Sequence, residues 1–91
     1  MNFAFIYIYG EDISLGQKLI YSIKTSHPDS FIIQITDFHA KKIDTVDCVE
    51  RSNFYHERIM YDFVKAQRDV VKKYGPTVFL DADMIVLKPI T

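Results

Sequence analysis

The stretch Phe3-Ala4-Phe5-Ile6-Tyr7-Ile8-Tyr9, "FAFIYIY", decides how this chain folds. It is aromatic and β-branched, and apolar at odd and even positions alike. A strand of that kind has two faces to bury, so it belongs in the middle of a sheet covered on both sides. Gly10 stops it. Downstream, Ser14 with Gln17 forms a capping box, and Leu15, Leu19, Ile20 and Ile23 follow at helical spacing. That pattern predicts a helix from about Leu15 to Thr25, ended by His27-Pro28. "FIIQIT", residues 31–36, reads as a second strand and "TVDCVE", residues 45–50, as a short third. A long second helix, capped by Ser52 or Asn53, carries Ile59, Met60, Phe63, Val64, Val70, Val71 and Tyr74 at intervals of three and four. Gly75-Pro76 ends it. A last strand then runs into "LDAD".

Strands that alternate with helices predict an α/β fold: a Rossmann-like, mostly parallel sheet with flanking helices, in the order β-α-β-(β)-α-β. The 91 residues form one domain, 48% hydrophobic and 25% charged, with a net charge of −1. That charge gives no general attraction to nucleic acid or anionic lipid. No apolar run approaches the ~20 residues of a membrane span. The N-terminal stretch has neither the basic region nor the cleavage site of a signal peptide. Cys48 is the single cysteine, which excludes an internal disulfide and suits a reducing cytoplasm. It reads as a small core residue.

In open parallel sheets, ligands sit beyond the carboxyl ends of the strands. Two such ends matter here: Tyr7-Ile8-Tyr9-Gly10, and Asp81-Ala82-Asp83. In extended chain, residues i and i+2 point to one side, ~6.5 to 7 Å apart. Asp81 and Asp83 would therefore converge and repel, unless one takes a proton or a cation joins them. Mg²⁺ or Mn²⁺ takes carboxylate oxygens and keeps positions open for water and phosphate. Ala82 leaves room for a bulky ligand. The competing reading is two aspartates that cap backbone groups at a strand end.

The segment "YGPTVFLDADMIVLKPI" resembles the D-x-D segment of glycosyltransferases with the GT-A fold, in particular the glycogenin-like group. "GQKLIYSIKTSHPDSFIIQIT" is similar to that family's first helix and second strand. The resemblance implies a partial GT-A domain, the nucleotide-binding half, with Asp81 and Asp83 as metal ligands for Mn²⁺ or Mg²⁺. It implies a nucleotide-diphosphate sugar as donor, UDP-sugar favoured, bound by Tyr7, Ile8, Tyr9, Gly10, Asp81, Ala82 and Asp83. Lys65, 16 positions before Asp81, matches the family's basic donor contact, with Arg68 as the fallback. Where the family has a small polar residue after the first strand, this chain has "YIYGED", which points to tyrosine stacking on the base. The acceptor, a glycan or a protein, is not named by the resemblance. The family's acceptor half and its late metal ligand, often a histidine, have no counterpart in these residues. His27, His39 and His56 precede the motif and read as surface or capping residues. A last strand left at a sheet edge invites pairing with another chain, as a homo-oligomer or with a completing partner.

Two other readings stay open on the sequence. A nucleotide-binding module without catalysis would keep the same pocket. A phosphatase of the haloacid dehalogenase type also places D-x-D after an apolar strand, but on its first strand.

Overall fold

The structure, a computed structural model, describes residues 1–10 and 12–81, with His56 described by its backbone alone. Ala82, Asp83 and the apolar run Met84 to Leu87 lie outside the described residues. Four strands form one parallel sheet: β1 (Asn2–Tyr7), β2 (Phe31–Thr36), β3 (Cys48–Arg51) and β4 (Thr77–Leu80). Two helices connect them, α1 (Ile13–Ser26) and α2 (Ile59–Tyr74). The spatial order is β3-β2-β1-β4, so β1 is central as its two apolar faces require.

Alternation along β1 separates two cores. Phe3, Phe5 and Tyr7 meet Leu19, Ile20 and Ile23 of α1 on one face. Ala4 meets Ala66 and Val70 of α2 on the other, beside Ile33 and Ile35 of β2. Right-handed crossovers that run in opposite directions across the sheet, from β1 to β2 and from β3 back to β4, place their helices this way. The connection from β2 to β3 closes the α1 face with Ala40, Ile43 and Val46. Buried Gln34 anchors that connection: its Nε2 donates to the Lys41 carbonyl at 3.0 Å and its Oε1 accepts from the Ile43 N–H at 2.7 Å. Gly16 of α1 packs closely against this layer, because a Cβ there would lie 2.7 Å from Ile43 Cδ1.

Three details differ from the sequence expectation. First, α1 starts at Ile13, and its cap is Asp12 rather than Ser14. Asp12 Oδ1 accepts from the Ser14 N–H at 3.0 Å and from Ser14 Oγ at 2.8 Å, which turns the expected capping residue into a donor to the real one. Second, α2 starts later than Ser52 or Asn53 suggested. Residues 52–55 have no regular secondary structure, His56–Arg58 form one 3₁₀ turn, and α2 follows without a side-chain cap at its own entry. The cap function comes from inside the helix: buried Asp62 reaches back and accepts from the Tyr55 N–H at 2.8 Å. Third, β3 covers 48–51 rather than 45–50; Thr45 has φ of 80° and closes a turn instead.

The end of α2 falls where expected. Gly75 has φ of 88° and its N–H bonds the Val71 carbonyl at 2.9 Å. Cys48 is half-buried in the α2-side core, with its Sγ 3.4 Å from the Tyr74 hydroxyl. That sulfur contact, then burial, then Glu50 push the Tyr74 hydroxyl well above its usual range. Among the described residues, no helix is long and apolar enough to cross a membrane.

Candidate functional site

From β1 the chain moves through α1 to β2 and then β3 on one side, and it returns across the sheet to set β4 on the other side of β1. The switch point of the sheet is therefore between β1 and β4. Connections diverge there, and the carboxyl ends of the two strands leave a crevice between them. In register, Phe5 pairs with Leu80, so Ile6 and Asp81 come next on the two sides. The two strand ends singled out in the sequence adjoin this switch point, but the groove that Asp81 lines contains none of Tyr7, Ile8, Tyr9 and Gly10.

Tyr7 is buried and its carbonyl accepts from the Thr36 hydroxyl, which ties the end of β1 to β2. Ile8 is half-buried and Tyr9 is 69% exposed. The Tyr9 N–H is held by Asp37 Oδ2 at 3.3 Å, and its ring stands edge-on to His39 at 6.2 Å. Gly10 has φ of 96°, a backbone conformation that lets the chain leave the strand sharply. On the opposite wall Asp81 is exposed, and it makes no hydrogen bond or ion pair with the described residues. It lines a groove of about 540 Å³ with Ile6, Leu15, Met60, Val64 and Gln67.

Among the described residues Asp81 is the one carboxylate that lines this groove, and a divalent cation needs further oxygen ligands beside it. Asp81 offers a hard carboxylate at a strand end, without a partner among the described residues, and apolar neighbours flank it. Asp83, the expected second ligand, and Ala82 lie outside the described residues. Among the described residues, no group of three or more His, Cys, Asp or Glu is placed to hold a metal. Asp81 follows the fourth strand, not the first, so the chain lacks the placement expected of a dehalogenase-type phosphatase.

Lys65 is not brought to Asp81. The α2 residues beside Asp81 are Met60, Phe63, Val64 and Gln67. Lys65 shares the neighbouring helix face with Arg58, Tyr61, Asp62 and Asp69, and that face opens onto a different groove. Arg68 is exposed and lines neither groove. His27 and His39 take the expected roles: His27 is the C-cap of α1, bonding the Ile23 carbonyl, and His39 is on the surface.

Two residues at the carboxyl edge have roles the sequence did not single out. Asp37 follows β2 and collects three backbone N–H groups, from Tyr9, His39 and Ala40. Arg51 ends β3 and donates from one guanidinium nitrogen to the Asp37 and Ala40 carbonyls, both at 2.6 Å. The available signal was position: Asp37 directly follows β2 and Arg51 is the last residue of β3, both at carboxyl ends of parallel strands. No protein family, curated protein or solved structure matches the chain.

Proposed function

We propose that this chain is the donor-binding part of a metal-dependent glycosyltransferase, taking a nucleotide-diphosphate sugar, with UDP-sugar favoured, in the cytoplasm. The observation that carries the reading is Asp81 at the switch point, without a hydrogen bond or ion pair among the described residues, one register step beyond Leu80 and across from the end of β1. Asp81 and Asp83 would hold Mn²⁺ or Mg²⁺, which when bound neutralises the diphosphate as it leaves. The chain's own residues bind and orient the donor. Exposed Tyr9 offers a ring to the base, held in place through its backbone by Asp37. Gly10 brings the backbone close without a side chain, and small Ala82 leaves space between the two acids. Asp37, through Tyr9, is a positioning residue rather than a ligand.

The acceptor would be a glycan or a protein. Titration calorimetry with UDP, GDP and their sugars, with and without Mn²⁺, tests the reading. Binding that needs Mn²⁺ and disappears in Asp81→Asn and in Asp83→Ala is expected. Equal affinity with and without metal would overturn it. Release of free sugar from the bound donor separates a catalytic module from one that only binds.

A further inference from the structure

Beside the end of β3, the first half of α2 encloses a second groove, of about 500 Å³ and distinct from the one at Asp81. Three cations line it, Arg51, Arg58 and Lys65, together with three aromatic residues, Phe38, Tyr55 and Tyr61. Two of the cations are set in place. Arg51 is tied to the Asp37 and Ala40 carbonyls and forms no ion pair among the described residues. Arg58 is held by Asp62 at 3.5 Å and by the Tyr55 ring, 4.6 Å from its guanidinium carbon. Lys65 is exposed and has no partner among the described residues. The groove's carboxylates are Asp62, committed to Arg58 and the Tyr55 N–H, and Asp69, exposed one turn beyond Lys65. Positive charge is thus in excess and partly preorganised. The aromatic residues are 60, 44 and 63% exposed, in the order Phe38, Tyr55, Tyr61, which leaves ring surface uncovered next to the cations.

Guanidinium forks and an ammonium together match a dianion with several terminal oxygens, which is a phosphate ester rather than a single carboxylate. Exposed aromatic rings supply a surface on which a sugar or a base packs. We propose that this groove binds a phosphomonoester carried on a ring, a sugar phosphate or a nucleoside monophosphate, without a metal ion. Lys65 then serves this ligand and not the metal-held diphosphate at Asp81. The inference does not depend on the transferase reading, because the two grooves share no lining residue.

The test is a ¹H–¹⁵N NMR titration of the full chain in EDTA with three probes: inorganic phosphate, glucose 6-phosphate and uridine monophosphate. Saturable shifts at Arg51, Tyr55 and Lys65 are expected with at least one ester. Lys65→Gln, an exposed change that removes no internal contact, should weaken binding about tenfold, and Arg51→Gln as much or more. Asp81→Asn should bind as the unmodified chain does. The tighter of the two esters identifies the ring. No saturable shift at millimolar ester, or unchanged affinity in Lys65→Gln and Arg51→Gln, would overturn the site. Phosphate alone binding as tightly as both esters would overturn the role given to the aromatic rim.

Discussion

Asp12 and Lys65 illustrate what single residues reveal and conceal. For Asp12, the N–H and hydroxyl of Ser14 hold the carboxyl below its usual 3.8. A carboxyl whose pKa is depressed by folding contributes stability above its unfolded pKa and loses it as pH falls through the folded value. The helix cap is therefore fully present above about pH 4 and fades below it. Asn caps a helix as well as Asp does but does not titrate there. Asp12→Asn should match the parent in urea unfolding at pH 7 and lose less stability between pH 4 and pH 2. Parallel acid limbs for the two proteins would contradict the cap. Two candidate caps two residues apart, Asp12 and Ser14, compete for one helix start, and local sequence does not rank them. Lys65 lies away from the Asp81 groove for a different reason. A spacing of 16 to Asp81 fixes a distance along the chain but not a helical face. On α2, positions 60, 63, 64 and 67 turn toward Asp81, while 58, 61, 62, 65 and 69 turn toward the other groove.

β1, β2 and β4 were legible as elements because each is a short, mostly apolar run between turn residues; β3, half of it charged, was the least marked and moved most. The end of α2 was legible too, since Gly75 supplies a positive φ that other residues avoid. The start of α2 was not. Its organising contact links Tyr55 to Asp62 over seven residues, through a carboxylate 5% exposed in the first turn. Removing that acceptor leaves the Tyr55 N–H without its partner and frees Arg58. Asp62→Ala should cost about 2 to 3 kcal/mol in denaturant unfolding, and Asp62→Asn distinctly less, because it retains an acceptor. Equal losses in the two would mean that packing, and not the hydrogen bond, holds the entry turn. The same pair bears on the second groove, whose Arg58 depends on Asp62 for its position.

For the whole molecule, an all-parallel sheet in the order β3-β2-β1-β4 with a helix on each face follows from the alternation of strands and helices and from the two-faced apolarity of β1. The location of the candidate site follows from that order, since the switch point is a property of the topology. What the topology leaves open is β4. It pairs with β1 alone among the described residues, and Val78, Phe79 and Leu80 are half-buried. An edge strand with apolar faces is a template for another chain. Sedimentation equilibrium over a wide concentration range should show the mass rising above that of one chain. A single-chain mass at every concentration would contradict pairing through this edge.

The central claim is that the β1–β4 switch point holds a metal ion and, through it, a diphosphate. Paramagnetic Mn²⁺ locates itself: added with UDP to the ¹⁵N-labelled chain, it broadens the amide signals nearest to it. The account predicts loss of the Tyr9, Gly10 and Asp81 signals at low Mn²⁺, with Arg51 and Lys65 little affected, and recovery of all of them in Asp81→Asn. Broadening spread evenly over the surface acids, or the same pattern in Asp81→Asn, would contradict it.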